Sequence, residues 1–295
     1  MNSITATRLV DDLVGLLHLA PLGDDRFRAE SQDIGTPVVF GGQVLGQALM
    51  AASLTVEAAR PVHSMHAYFL LPGEHAPIDY AVERVRDGRS FTTRHVVARQ
   101  QDRIIFELSA SFQTHDDGIE HQLAMPRTLP PEGLRNDYQR KLELADRLPD
   151  RLRSKVLQPH GLEFRAVDDD DLLAPAPQSG ERSIWMRTIA PLPDDPGLHR
   201  ALLAYASDHG LLVTALRPHG LSYLSSGMRL ASIDHAMWFH RDFRMDDWLL
   251  YRIDSPNAGG ARALCRGSVF TRDGQLVAST AQEGMVRIRN PQSTS

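Results

Sequence analysis

The stretch His66-Ala67-Tyr68-Phe69 recurs 169 residues further along the chain as His235-Ala236-Met237-Trp238. A second pair of stretches, Ser111-Phe112-Gln113 and Thr280-Ala281-Gln282, repeats at the same distance. Matching ends with equal internal length indicate one supersecondary unit that was duplicated and fused. Two such copies can pair about a pseudo-two-fold axis, as the subunits of a symmetric dimer do. The repeat therefore predicts a groove between the copies, in which one set of residues can carry the chemistry.

Each copy has the pattern of a helix combined with extended segments. In the first copy Gly41-Gly42 opens a helix that runs to about Arg60, and extended segments lie near 63–71, 78–86, 91–100 and 103–113. In the second copy a strand near 182–189 and a helix near 198–216 precede extended segments near 231–240, 248–254, 261–271 and 275–289. A helix with an antiparallel meander is an α+β unit.

We expect three parts along the chain: an N-terminal unit over 1–115, a connector with one helix over 116–180, and a C-terminal unit over 181–295. The connector is rich in proline and contains a polar amphipathic stretch near 134–157. Its acidic run Asp168–Asp171 is typical of a solvated loop, with a metal site as the alternative. Helical spacing of apolar residues predicts another helix over residues 8–18.

Composition argues against several classes of protein. The 295 residues suffice for one large or two ordinary domains, and no apolar run reaches the ~18 residues of a membrane-spanning helix. Cys265 is the only cysteine, so no internal disulfide is expected, which fits a reducing cytoplasm. A net charge of −5 argues against a nucleic-acid partner. The N-terminal residues lack the basic segment of a secretory signal, and Gln292–Ser295 is not a peroxisomal signal, so a cytoplasmic location is expected.

Asp208 is a candidate general base. In the predicted helix its neighbours one turn away are Ala204, Tyr205, Leu211 and Leu212, so the carboxylate lies on an apolar stripe. Burial without partners raises the pKa of a carboxyl group, which is the setting of a general base. A structural Asp bonded to a hydroxyl or a backbone amide is the alternative.

Gln282 has a similar setting on a predicted strand, where it shares a face with Leu276, Ala278 and Thr280. A long amide among small and apolar residues needs a hydrogen-bond partner. By the repeat its counterpart is Gln113, whose face is polar. An amide that only ties one strand to its neighbour is the alternative.

The glycine pair Gly41-Gly42 stands at the start of a helix, where unpaired N–H groups favour negative charge. Because glycine lets a ligand approach the backbone closely, the pair is a candidate site for a developing oxyanion. A tight turn is the alternative. The stretch Gly41–Gly46 does not match the glycine pattern of dinucleotide-binding sites.

The turn Asp87-Gly88 is surrounded by arginines, namely Arg84, Arg86, Arg89 and Arg94. Guanidinium groups bind phosphate well. Arg86, Gly88, Arg89 and Ser90 are therefore candidates for binding a phosphorylated ligand. A solvated hairpin is the alternative.

Signatures of several known hydrolase classes are missing. The chain has no G-x-S-x-G motif for a serine nucleophile, and Cys265 has no recognisable catalytic setting. The pairs His63/His66 and His235/His240 lack the spacing of zinc ligands. Hydrolysis would therefore depend on an activated water, with no metal and no cofactor.

Seven stretches, taken together and in order, resemble the acyl-CoA thioesterase II (TesB) family, over nearly the whole chain from about Phe27 to Arg289. They are Phe40-Gly41-Gly42-Gln43-Val44-Leu45-Gly46-Gln47, His63-Ser64-Met65-His66, Arg86-Asp87-Gly88-Arg89-Ser90-Phe91, Tyr205-Ala206-Ser207-Asp208, Arg217-Pro218-His219-Gly220, Asp234-His235-Ala236-Met237-Trp238-Phe239-His240 and Ala278-Ser279-Thr280-Ala281-Gln282-Glu283-Gly284.

The resemblance implies a double hot-dog fold, in which two fused units each wrap an antiparallel sheet around a long helix. It also implies hydrolysis of medium- or long-chain acyl-CoA to a free fatty acid and coenzyme A, by chains that assemble into a homodimer or homotetramer. The family's catalytic Asp, its Thr or Ser, and its Gln fall on Asp208, Ser232 and Gln282, which would hold the attacking water. Bacterial relatives often carry Thr where Ser232 stands; serine keeps the hydroxyl but loses a methyl group.

Two other functions stay open. A hot-dog enoyl-CoA hydratase would need acid–base residues, for which His66 or His235 could serve. A non-catalytic acyl-CoA sensor would need a DNA-binding domain, and the sequence shows no basic helix-turn-helix. Release of free thiol from palmitoyl-CoA would distinguish a thioesterase from both.

Overall fold

The computed structural model of the protein describes residues 3–145, 147, 153, 157–168 and 170–289. Within these residues the helices are α1 (Ser3–Leu16), α2 (Gly41–Ser53), α3 (Asp137–Ala145) and α4 (Pro196–Ser207), with 3₁₀ helices at Pro131–Gly133 and Leu212–His219. The strands are β1 (Ala20–Gly23), β2 (Arg26–Ala29), β3 (Val62–Phe69), β4 (Ile78–Asp87), β5 (Phe91–Gln100), β6 (Arg103–Gln113), β7 (Leu162–Ala166), β8 (Glu181–Thr188), β9 (Met228–Ser232), β10 (Asp234–Phe239), β11 (Leu249–Gly259), β12 (Arg262–Thr271) and β13 (Leu276–Ile288). None of the described helices is long and apolar enough to cross a membrane.

The thirteen strands form a single sheet in the order β1-β2-β4-β5-β6-β3-β10-β13-β12-β11-β8-β7, with β9 paired to β13. Helix α2 packs against α4 and against strands β3–β6. Leu45 and Leu49 of α2 and Leu202 of α4 are buried in one hydrophobic cluster that includes residues of both halves of the sheet. Each such side chain contributes roughly 1.5–3 kcal/mol by leaving water. This is the predicted α+β double hot-dog arrangement.

The two halves meet where β3 pairs with β10, and the register of this pairing confirms the repeat. His66 faces Ala236, and Ala67 faces His235. The repeat makes His66 equivalent to His235 and Ala67 equivalent to Ala236. Exchanging the two strands therefore leaves this set of paired positions unchanged. A pseudo-two-fold axis therefore passes through the centre of this strand pair.

The prediction that Gln113 is the counterpart of Gln282 is wrong. Ala67 faces Leu108 on β6, whereas its equivalent Ala236 faces Ala281 on β13. Ala281 therefore corresponds to Leu108, and Gln282 corresponds to Ser109. The second copy has four more residues between these matched positions than the first, so equal sequence spacing gave a false match.

Both predicted long helices end earlier than their periodicity suggested. Helix α2 stops at Ser53, because the buried Arg94 donates from Nη2 to the Thr55 carbonyl oxygen at 3.1 Å and holds that segment outside the helix. The predicted helix near 198–216 is divided, since α4 ends at Ser207. Gly210 then adopts a left-handed φ of 76° that interrupts the helix, and a 3₁₀ helix follows.

The connector contributes more structure than predicted. Its strand β7 extends the sheet by pairing with β8. Helix α3 covers the start of the amphipathic stretch near 134–157, and much of the rest of that stretch lies outside the described residues. The N-terminal strands β1 and β2 were also not predicted, because each has only four residues.

The acidic run is not simply a solvated loop, so that prediction is wrong. Asp170 accepts a hydrogen bond from the buried guanidinium of Arg217 at 2.8 Å, and Asp168 lies 3.5 Å from the same nitrogen. Asp171 accepts the N–H of Leu173 at 2.8 Å. Asp169 and the C-terminal Gln292–Ser295 lie outside the described residues. Among the residues that are described, no group of three or more His, Cys, Asp or Glu side chains could hold a metal ion.

Candidate active site

Asp208 caps the C-terminal end of α4, where that helix meets the start of α2. A Cβ atom added to Gly41 would lie 2.8 Å from Asp208 Oδ2, and one added to Gly42 would overlap the carbonyl oxygen of Tyr205. The Gly42 N–H donates a hydrogen bond to the Asp208 carboxylate. The glycine pair is therefore needed for the close approach of the two helices, and the positive end of the α2 dipole favours the anion.

Three side chains predicted from the sequence converge at this point. The Gln282 amide donates from Nε2 to Asp208 Oδ1 at 2.8 Å and to Ser232 Oγ at 2.6 Å. The Ser232 hydroxyl donates to the same Asp208 oxygen at 3.4 Å. A carboxylate, a hydroxyl and an amide within hydrogen-bond distance of one another can together hold and deprotonate a small polar molecule.

The site favours a basic carboxylate. Burial raises the pKa of Asp208 above its ordinary value, while hydrogen bonds from Gln282, Gly42 and Ser232 act in the opposite direction. A raised pKa makes the ionised carboxylate a stronger base near neutral pH.

Strands β9 and β13 bring Ser232 and Gln282 together, since Ser232 faces Gly284 across this pair. Gln282 is almost completely buried, on the inward face that the alternation of β13 predicts. The extended segment predicted at 231–240 is in fact two strands that are interrupted at Ile233, whose N–H is donated to the Glu283 carbonyl oxygen at 3.0 Å. The interruption lets β9 and β10 both pair with β13.

Buried polar residues behind the three side chains were not predicted. The Tyr251 hydroxyl donates to the main-chain oxygen of Ser207 at 3.2 Å and lies 2.7 Å from Thr280 Oγ1. The Ser207 hydroxyl lies 3.0 Å from Nε2 of the buried His235. Only their closeness in sequence to the predicted site residues could have indicated them. Ser207 precedes Asp208, and Thr280 lies two positions before Gln282 on the same face of the strand.

Comparison with known proteins gives matches in both halves of the chain. A family model described as acyl-CoA thioesterase matches residues 173–285, and one described as acyl-CoA thioesterase N-terminal domain matches residues 28–113. Acyl-CoA thioesterase 2 of Haemophilus influenzae is 41% identical over 280 residues, which cover 95% of this chain and 98% of that protein.

The chain belongs to the acyl-CoA thioesterase II family.

Two solved structures extend the comparison. The acyl-CoA thioesterase II TesB2 from Mycobacterium marinum has a TM-score of 0.77 and 42% identity, over 94% of this chain and 98% of that one. A protein with the hot-dog fold from Alicyclobacillus acidocaldarius has the same TM-score of 0.77 at 19% identity, over 95% of this chain and 99% of that one, which supports the fold alone. As a member of this family the protein is a thioester hydrolase.

A cavity of about 690 Å³ in this thioesterase is lined in part by His209 and Gly210, the residues that follow Asp208 in the chain, and none of the three side chains lines it. Apolar parts of its wall come from Ile34, Leu144, Phe164, Ile184, Val213 and Leu224. Charged groups of both signs also line it, namely Arg135, Arg140, Lys141, Arg147 and Arg182 together with Asp137, Glu143, Asp170 and Asp171. The volume falls in the range of pockets that bind small molecules, about 300–1,000 Å³.

The arginine-rich turn of the thioesterase lies elsewhere, beyond the C-terminal end of α2. Arg94 donates to Asp87 at 2.7 Å, and Arg60, which follows α2, donates to the Gly88 carbonyl oxygen at 2.8 Å. Asp208 is at the other end of this helix, and 13 residues span about 20 Å. The structure therefore does not bring the predicted coenzyme A residues close to the three side chains. Arg84 and Arg94 are engaged in ion pairs with Asp25 and Asp87.

Proposed function

We propose that this thioesterase hydrolyses medium- and long-chain acyl-CoA through a water molecule held by Asp208, Ser232 and Gln282. The observation that supports this assignment is the set of contacts of 2.6–3.4 Å among the three side chains around a buried carboxylate. The assignment needs no metal and no cofactor, because the carboxylate itself can accept a proton from water.

In the proposed mechanism Asp208 takes one proton from water while Ser232 and Gln282 fix its orientation, which lowers the entropic cost of attack. The water oxygen forms a bond to the thioester carbon, and the carbonyl oxygen becomes an oxyanion. Collapse of this intermediate breaks the carbon–sulfur bond, and the thiolate of coenzyme A takes up the proton from Asp208. The products are a fatty acid and coenzyme A.

The oxyanion requires a hydrogen-bond donor that is free during the reaction. We predicted the pair Gly41-Gly42 for this role. Since the Gly42 N–H is donated to Asp208, we now assign the role to the Gly41 N–H, which is at the first residue of α2.

The cavity of about 690 Å³ is our candidate for the acyl chain. The apolar part of its wall suits a flexible hydrocarbon, and His209 and Gly210 on that wall follow Asp208 directly in the chain. We propose that a cavity of this volume accommodates a medium or long acyl chain. Arg86, Gly88, Arg89 and Ser90 stay our candidates for the phosphates of coenzyme A, although they lie at the opposite end of α2.

A homodimer or homotetramer is our proposal for assembly in a cytoplasmic setting. Tyr68 and Trp238 are 53% and 37% exposed on the two central strands, next to the pseudo-two-fold axis. Trp238 contacts only the edge of the His66 ring among aromatic groups described, with ring centres 5.3 Å apart. Exposed aromatic side chains on one face favour self-association, which light scattering would measure.

The hydratase alternative has less support. His66 is exposed on the outer face of the sheet against Trp238, away from the buried Asp208. His235 is buried, and burial lowers its pKa to about 4, so its ring is neutral at pH 7 and the imidazolium is not available as an acid. A folded enzyme should release free thiol from palmitoyl-CoA, detected with a thiol-reactive dye. Hydration of an enoyl-CoA without release of thiol would contradict the proposal.

A further inference from the structure

Two buried polar atoms beside the proposed trio lack hydrogen-bond partners among the described residues, namely Gln282 Oε1 and His235 Nδ1. The two residues occupy adjacent strands, one position along from the pair Ala236 and Ala281. Directly opposed residues of an antiparallel pair point their side chains to the same face. A buried amide oxygen and a buried ring nitrogen on one face can satisfy each other only if the nitrogen carries a proton.

The surroundings of the ring determine where that proton lies. The Ser207 hydroxyl is 2.9 Å from the Ala204 carbonyl oxygen and 3.0 Å from His235 Nε2, and it has one proton to donate. If it donates to Ala204, Nε2 must carry the ring proton, and both Nδ1 and Gln282 Oε1 remain unsatisfied. If it donates to Nε2, Nδ1 carries the proton and can donate it to Gln282 Oε1 on the same face. Buried polar groups are seldom left unpaired, so the second arrangement is favoured.

We propose that His235 is a positioning residue, which fixes the direction of the Gln282 amide by donating its Nδ1–H to Oε1. This inference rests on the proposed function. With Oε1 held by His235, the NH₂ group faces Asp208 and Ser232, as the distances of 2.8 and 2.6 Å require. The reversed amide would place a carbonyl oxygen against the ionised Asp208 carboxylate. The influence of Gln282 on the pKa of His235 is in the direction expected of an oxygen beside the ring, since it favours the protonated imidazole.

The chain offers a matched set of variants at this position. His235→Leu removes the donor, and we expect kcat to fall on the order of tenfold to a hundredfold with KM little changed. His235→Asn keeps an N–H near the position of Nδ1 and should restore most of kcat. His235→Gln carries its N–H further out, near the position of Nε2, and should not restore it. Equal activity of the Asn and Gln variants, or a folded Leu variant with wild-type kcat, would overturn the proposal.

The pH profile supplies a readout that a general loss of packing would not change in the same way. Gln282 lowers the pKa of Asp208 through its hydrogen bond. Freeing the amide in His235→Leu should therefore shift the acidic limb of kcat/KM to higher pH, and His235→Asn should shift it back. An acidic limb at the same pH in both variants would count against positioning.

A spectroscopic test does not depend on activity or on a folded Leu variant. The ¹⁵N spectrum of the imidazole rings distinguishes the two neutral tautomers, and the resonance that is missing in His235→Asn identifies His235 among the 13 histidines. We expect the Nδ1-protonated tautomer at neutral pH, and the Nε2-protonated tautomer would refute the inference. If Gln282→Ala leaves kcat unchanged, the proposed function fails; if Gln282→Ala is inactive while His235→Leu is active, only the inference about His235 fails.

Discussion

Gln282 Nε2 lies 2.8 Å from Asp208 Oδ1, although the two residues are 74 positions apart in the chain. This amide donor favours the ionised form of a carboxylate whose pKa is raised by burial. The same contact joins the end of α4 to the inner face of β13. The hydrogen bond therefore links the polar site to the contact between a helix and its sheet.

Replacing the carboxylate should abolish most of the activity. In Asp208→Asn the shape is kept but the base is lost, so we expect kcat to fall by roughly 10²–10⁴-fold with little change in KM. Steady-state kinetics of thiol release from palmitoyl-CoA would measure this. The matched control is Asp234→Asn, which keeps an oxygen to accept the Glu283 N–H and should retain a kcat close to that of the wild type. A folded Asp208→Asn enzyme with normal kcat would refute the assignment.

The same carboxyl group should be a source of instability at neutral pH. Burial raises the pKa of Asp208 in the folded protein, above the value of about 3.9 in an unfolded chain. Folding thus favours the protonated form of Asp208. The stability that this protonated carboxyl contributes is fully present when the pH is below the pKa of the unfolded chain, and it is lost as the pH rises through the pKa of the folded protein. Asp208→Asn should therefore raise Tm near pH 7, with a smaller gain at pH 3–4. Calorimetry showing the same change in Tm at both pH values would contradict this prediction.

The start of α2 should tolerate no side chain at Gly42. A Cβ there would overlap the Tyr205 carbonyl oxygen, so Gly42→Ala must push α2 away from α4, and we expect a loss of roughly 1–3 kcal/mol together with most of kcat. The control is Gly15→Ala in α1, where nothing lies within 4 Å of the added atom and helix propensity should add up to about 1 kcal/mol. Urea denaturation would compare the two variants, and equal stabilities would show that the helices do not touch at Gly42.

The proposed coenzyme A residues can be tested by truncating the substrate. If Arg86 and Arg89 bind phosphate, Arg86→Ala and Arg89→Ala should raise KM for palmitoyl-CoA but not for palmitoyl-pantetheine, which lacks the nucleotide. Loss of one phosphate contact should change KM by about tenfold at low salt, and by less at high salt. An unchanged KM for both substrates would show that this turn does not bind phosphate and is a structural hairpin stabilised by Arg60.

The sequence predicted the repeat and the three polar side chains for different physical reasons. The alternation of polar and apolar residues along β13 indicates that Gln282 is buried, and the apolar neighbours of Asp208 indicate the same for that residue. Both signals come from residues close in sequence. Ser232 has no such pattern and was found only through family resemblance. The end of α2 could not be predicted, because Arg94 is 39 positions away from Thr55. The Gln113 match failed because strand pairing, rather than spacing along the chain, defines which positions are equivalent.

The pairing of β3 with β10 has a consequence for how the two halves can change. In a dimer of identical chains, each substitution appears in both subunits, so the two equivalent sites always change together. Here α4 is followed by Asp208 while α2 is followed by Leu54, and Ser109 stands where the second copy has Gln282. If the proposed site is correct, fusion has left the first copy without a catalytic carboxylate and amide while it keeps half of the core. That copy supplies the Gly42 N–H, which donates a hydrogen bond to the carboxylate of the other copy.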